Sequence, residues 1–232
     1  MLTAKKKISV REAVPQSTSA ELFYKSKEWF QANTKIVYGA ALGIAALLII
    51  GYLYTSGKAA DDLAANRELR KVQTLYQQQQ YRLAISGDPN QNIMGLEEIT
   101  EKYGGTPTGD VAMIYLGNSY LYSGELDKAA GVFDDVSPST DMLQAAAVAG
   151  QAAVAEAKGE FADAASLFEE AARMFENELL SGDRYLSAGR CYGLAGDLDA
   201  AKEMLLIAKE NKTQRFQQEA DRLLAQYNLD SE

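Results

Sequence analysis

The chain has 232 residues and no histidine, so the commonest general base and the commonest zinc ligand are both missing, and most hydrolase and metalloenzyme chemistries go with them. Its one cysteine, Cys191, can form no disulfide within the chain, which leaves apolar packing to hold the fold. The net charge of −9 is split unevenly: residues 1–35 carry seven Lys or Arg against three Glu and the rest sixteen against twenty-nine, so the acidic body repels a phosphate backbone and no nucleic-acid partner is expected.

The chain opens with a basic tail, residues 1–35. Thr18 followed by Glu21 has the form of a capping box, and Leu22, Phe23, Trp29 and Phe30 fall near one face of the helix it would open. With Lys25, Lys27 and Lys35 beside them, these residues suit either an interfacial helix on an anionic leaflet or a plain extension of the segment that follows. That segment, residues 36–54, reads IVYGAALGIAALLIIGYLY without a charge. Its nineteen residues would span about 28 Å as a helix, close to the ~30 Å hydrocarbon thickness of a bilayer, which predicts a transmembrane helix. Trp29, Phe30 and Tyr38 on one side and Tyr52 and Tyr54 on the other stand where membrane interfaces would lie. Seven basic residues in the first 35 positions, against five in the equal window after the span, favour a cytoplasmic N-terminus.

Residues 55–109 predict a long polar helix from Lys58 through Gln80 and then a degenerate repeat. Leu69, Val72, Tyr76 and Leu83 recur there at helical spacing. Residues 110–213 hold the clearest periodicity. SGELDKAAGVF from Ser123, KGEFADAASLF from Lys158 and AGDLDAAKEML from Ala195 align without gaps, each with a glycine, a small residue five positions on, and Phe133, Phe168 or Leu205 four further. The glycine supplies a tight turn between two helices, Ala129, Ala164 or Ala201 lets their backbones approach, and the large residue fills the space one turn later. Met113, Leu116, Gly117 and Tyr120 precede the first turn, and Tyr185, Ala188, Gly189 and Tyr192 the third. The middle copy is reduced to Val148, Gln151, Ala152 and Ala155, so its unit should be the slimmest.

This spacing resembles the tetratricopeptide repeat. The resemblance implies an all-α chain: one N-terminal transmembrane helix, then an α-solenoid of three clear repeats and one degenerate repeat marked by Gly95, Ile99 and Pro107. A capping helix would lie in residues 214–232, with Phe216, Leu223, Leu224 and Tyr227 closing the array. It also implies that the first helix of each unit lines a concave groove. The matching positions are Val111, Ile114, Asn118, Leu121 and Tyr122, then Ala149, Ala153 and Glu156, then Leu186, Arg190 and Leu194. Of the clamp by which some relatives hold a C-terminal carboxylate only Asn118 is present, so the groove suits a helix or an unfolded apolar stretch. No catalytic, cofactor or metal site is expected, nor a small-molecule substrate. The acidic pairs Asp61–Asp62, Glu97–Glu98, Asp134–Asp135 and Glu169–Glu170 read as solvated surface, because neighbours on a helix diverge by about 100°.

The order of features, EWFQANTK before an apolar span ending in GYLY, a Gln-rich run at LYQQQQ, then repeats, is similar to the YfgM family of bacterial inner-membrane proteins. The resemblance implies a cytoplasmic N-terminus and a periplasmic repeat domain. It also implies, as partners, subunits of the Sec translocon, a periplasmic folding factor of the PpiD type and emerging polypeptides, with an ancillary or chaperone-like role. Two other classes share the sequence features: a scaffold for assembling another envelope or bioenergetic complex, and an import-type receptor with its repeats facing the cytoplasm.

Overall fold

A computed structural model describes residues 18–136, 140–175 and 177–229, the side chains of 18–22, 24 and 178 excepted. The basic tail before Thr18 and the side chains of the expected capping box lie outside this description. The chain divides into two compact units, one ending at Ser56 and one beginning at Gly57.

The first unit contains α1 (Thr18–Ala32) and the start of α2 (Thr34–Gln77). They are separated at Asn33. Its side-chain amide donates to the Trp29 carbonyl at 2.8 Å, and its own carbonyl accepts from the N–H groups of Ile36 and Val37 at 2.9 and 3.0 Å, starting the second ladder. Residues 38–56 are exposed throughout, and no atom lies against Gly39, Gly43 or Gly51. α2 is the one helix of the described residues long and apolar enough to cross a membrane.

The second unit is a series of helices, each packed on the next. Its part of α2 buries Ala65, Leu69, Val72 and Leu75, a stripe at spacings of three and four. The polar run is therefore a wall of the core. It ends at Gln77 rather than Gln80, which places Leu83 on a separate helix, α3 (Tyr81–Ser86). Asp62 accepts from the Thr108 N–H at 2.8 Å and Lys58 donates to the Gly104 carbonyl at 3.2 Å, tying α2 to the start of α5 (Pro107–Tyr122).

Three hairpins follow: α5 with α6 (Leu126–Asp135), α7 (Asp141–Lys158) with α8 (Phe161–Met174), and α9 (Glu178–Ala195) with α10 (Leu198–Lys209). Each second helix also touches the first helix of the next hairpin, and α5 touches α7. The turns have one design. Gly124, Gly159 and Gly196 sit at φ of +80°, +82° and +88°. The N–H of the following residue returns to the carbonyl five positions back, as Glu125 to Tyr120, Glu160 to Ala155 and Asp197 to Tyr192, at 2.9 to 3.0 Å. A fourth turn repeats it after α2, with Gln79 at φ +59° and the Gln80 N–H on Leu75. From turn to small residue is five positions in the other hairpins but sixteen from Gln79 to Gly95. The extra residues form α3 and a two-stranded ribbon, β1 (Gly87–Asp88) antiparallel to β2 (Ile93–Met94), a departure from the all-helical expectation. Gly95 has no room for a Cβ, facing the backbone of Ile85, Ser86 and Gly87. Behind it α4 (Leu96–Tyr103) buries Ile99 completely.

Glycine notches set the packing of the hairpins. The buried Phe133 ring of α6 lies against Gly117 of α5 and Gly150 of α7, so it joins two hairpins. Leu205 seats likewise against Gly189. The middle layer is thinner: Ala152, Ala155, Ala164, Ala165 and Ala188 surround Phe168, Met204 and the buried Cys191. The array closes on α11 (Gln214–Gln226), whose Phe216, Ala220, Leu223 and Leu224 cover Leu205 and Ala208.

The acidic pairs are not merely solvated. Besides Asp62, one member of each remaining pair bonds to the next helix. Glu97 accepts from the Tyr120 hydroxyl, Asp134 from the Gln151 amide at 2.6 Å, and Glu169 from the Tyr192 hydroxyl at 2.7 Å. The ~100° divergence that turns one acid outward aims the other at its neighbour.

Candidate groove on the first helices

The eleven expected groove residues occupy α5, α7 and α9 in differing environments. On α5, Val111, Ile114 and Leu121 are half-buried and pack against the first core, and Asn118 is half-buried. Tyr122 is 59% exposed. On α7, Ala149 and Ala153 are half-buried against the middle core. Glu156, one turn on, forms an ion pair with Arg190 of α9, so these two charges link successive first helices. Leu186 is only 7% exposed and joins Leu205, Phe216 and Leu223 in the last core, which makes it chiefly a packing residue. Leu194 is 47% exposed near the end of α9.

An aromatic run that the sequence reading did not assemble lies beside Tyr122. Tyr115, Tyr76, Tyr81 and Tyr122 follow one another with ring centroids 4.9, 5.4 and 4.9 Å apart, the first two contacts edge to face and the last tilted by 31°. Gln73 donates to the Tyr115 hydroxyl at 3.3 Å. Burial, with the neighbouring phenols adding, holds the Tyr76 hydroxyl well above the usual tyrosine range. A shallow cleft of about 500 Å³ opens here between the first two turns, bounded by Gln79, Gln80, Tyr81, Arg82, Tyr122 and Ser123. The buried Ser123 Oγ has no hydrogen-bond partner. Tyr115 and Tyr122 are seven residues apart on one helix, a signal present in the sequence. Their partners arrive from α2 and α3, which only the fold brings together.

The opposite end is charged. Between α9 and α11 a cleft of about 430 Å³ has Leu186 and Leu223 among its walls, with Arg190, Arg215, Arg222, Asp183 and Glu219 around them. Arg215 pairs with Asp183 at 3.2 Å and Arg222 with Glu219 at 2.5 Å. The hydrogen bond from Arg222 is the largest influence drawing the Glu219 carboxyl below its ordinary range. The capping helix therefore supplies surface as well as closure, which its apolar pattern alone did not indicate.

The first helices thus carry aromatic side chains at one end, small ones in the middle and paired charges at the other. Among the described residues no group of His, Cys, Asp or Glu is placed to hold a metal ion. Burial pushes the Cys191 thiol up, away from the thiolate that a nucleophile would need. Comparison with protein-family models, with curated proteins and with solved structures gives no match for this chain.

Proposed function

We propose that this protein is a membrane-anchored protein-interaction module of the tetratricopeptide type, with residues 36–54 as its single span. In this reading α5–α6, α7–α8 and α9–α10 are three repeats, residues 55–109 hold the long helix and a degenerate repeat, and α11 is the cap. The observation that carries the reading is the recurrence of one turn geometry at Gly124, Gly159 and Gly196, with a small residue and a large one at fixed distances behind each. An array of this kind leaves one side of its first helices available to a partner. Here the mixture of exposed aromatic and half-buried aliphatic side chains suits an apolar polypeptide segment better than a small polar ligand.

The excess of Lys and Arg before the span favours a cytoplasmic N-terminus with the repeats outside. Joined to the resemblance of the EWFQANTK and GYLY segments to the YfgM family, this assigns the module to the Sec translocon as an ancillary, chaperone-like factor for emerging envelope proteins. A photo-crosslinking residue in place of Tyr122, in native membranes, is expected to capture translocon subunits or a translocating chain, while one in place of Leu206 on α10 stays unreacted. Adducts at Leu206 with none at Tyr122 would refute the groove. Adducts at Tyr122 to a different membrane complex would transfer the module to complex assembly. Protease added to spheroplasts is expected to digest the repeats, and their protection would reverse the orientation.

A further inference from the structure

The helix before the apolar segment is built differently from a simple continuation of it. Asn33 interrupts the ladder between α1 and α2, its side chain closing the end of the first helix on the Trp29 carbonyl and its carbonyl opening the second. The Asn33 N–H also donates to the Trp29 carbonyl at 3.0 Å, so the two helices join at a turn of one residue, a place where a helix can bend. The large apolar side chains of α1 are in the open: Phe23 is 64% exposed, Trp29 59% and Phe30 47%.

These side chains share a face. At about 100° per residue Phe23, Phe30 and Trp29 fall within an arc of roughly 120°, with Ser26 between them among the residues whose side chains are described. Lys27 stands roughly 40° beyond one edge of the arc and Lys25 roughly 40° beyond the other, while Glu28 and Gln31 occupy the opposite side. A soluble helix facing water on all sides has no reason to gather three aromatic rings on one flank. A helix packed on a protein core would bury these rings, and here they stand exposed. A membrane surface accounts for both. The rings enter the boundary between headgroups and acyl chains, and the lysine stems run along the apolar surface to bring their ammonium groups to lipid phosphates.

We propose that α1 lies in the headgroup layer of the bilayer that α2 crosses, aromatic face inward, with Lys25 and Lys27 on anionic lipid phosphates. The proposal rests on the reading of residues 36–54 as a span. The anchor then has two parts, a helix through the membrane and a helix along its surface, and Asn33 is the elbow between them.

Trp29 is the only tryptophan, so its replacement by Phe leaves a silent background for single reporters. In the full chain, inserted in vesicles of phosphatidylcholine and phosphatidylglycerol, Phe23→Trp and Leu47→Trp are compared within that background. A straight continuation of α2 would carry residue 23 roughly 16 Å beyond Thr34, into water. If α1 lies on the surface, the residue 23 reporter emits at blue-shifted wavelength, resists aqueous iodide and is quenched by lipid brominated near the headgroup. Lys25→Glu with Lys27→Glu is expected to abolish that quenching, and Lys25→Arg with Lys27→Arg to retain it. Emission at long wavelength with iodide quenching would overturn the proposal. So would a reporter shielded from both quenchers, since that means a protein covers the face. The Leu47→Trp reporter separates the two readings: deep bromolipid must quench it if the span is real, whatever residue 23 does.

Discussion

The notch around Phe133 makes a prediction whose sign differs between two glycines of the same array. Gly131, on α6, is exposed and has nothing within 4 Å of where a Cβ would stand. Gly131→Ala therefore gains helix propensity alone, about 1 kcal/mol. In a unit of this size that raises the thermal midpoint by about 2–4 °C. Gly150→Ala gains the same propensity but drives a methyl into Cε1, Cζ and Cδ1 of the Phe133 ring. The ring cannot retreat, because a Cβ on its other side, at Gly117, would already lie 2.6 to 3.0 Å from the same atoms. Overpacking of this kind costs about 1–3 kcal/mol, so the two variants should differ by about that amount, with Gly150→Ala neutral to destabilised by about 2 kcal/mol. Thermal melts of residues 57–232, followed by helical circular dichroism, measure the gap. Phe133→Leu shortens the side chain and should narrow it, a coupling that a double-mutant cycle isolates. If Gly150→Ala raises the midpoint as much as Gly131→Ala, Phe133 does not sit between the two hairpins as described.

Two further perturbations test other features. Gln79 holds a left-handed turn that glycine holds in the other three, so Gln79→Gly should stabilise the unit by about 1 kcal/mol; a loss in denaturant midpoint would mean that the Gln79 side chain contributes more than its backbone costs. The Tyr192 hydroxyl is pushed up to about 12, first by burial and then by its hydrogen bond to Glu169. The folded state thus keeps a proton that the unfolded chain releases near pH 10, so stability is intact below about pH 10 and declines as the pH rises towards about 12. Tyr76 and Tyr120 are raised in the same direction. Tyr192→Phe should flatten part of this alkaline decline in denaturant midpoints measured from pH 9 to 12, and an unchanged slope would count against the assignment.

The features readable in advance were those that act locally. A positive φ favours glycine, so Gly124, Gly159 and Gly196 mark their turns; nineteen uncharged residues announce a helix of membrane length by composition alone. Phe133, Ile99 and Leu205 were identifiable as core because the distance from small to large residue is set within one helix. What stayed hidden depended on contacts between segments far apart in the chain. Gln79 concealed a fourth turn of the same geometry, and the eleven extra residues between that turn and Gly95 broke the period that would have revealed it. Glu156 and Arg190 both stand at groove positions of the repeat pattern, yet each satisfies the other. Leu186 has the periodicity of a groove residue, yet the capping helix covers it. The acids of α4, α6 and α8 look like surface until the next helix presents Tyr120, Gln151 or Tyr192 to them.

The alanine-rich layer between α7 and α9 has a mechanical consequence. Apolar stabilisation scales with the area withdrawn from water, and an alanine contributes far less of it than the phenylalanine and leucine anchors on either side. Tension along the array would concentrate where resistance per residue is smallest, so pulling on residues 57–232 with optical tweezers should part the molecule first at this layer. The early rupture would release two sub-blocks, one held by Phe133 and one by Leu205 and Phe216, at a lower force than either needs to unravel. Ala164→Leu should not strengthen the seam, because Ala164 is completely buried and a larger side chain there risks overpacking. The compliance is built into how closely the backbones approach, and filling the layer would first have to push them apart.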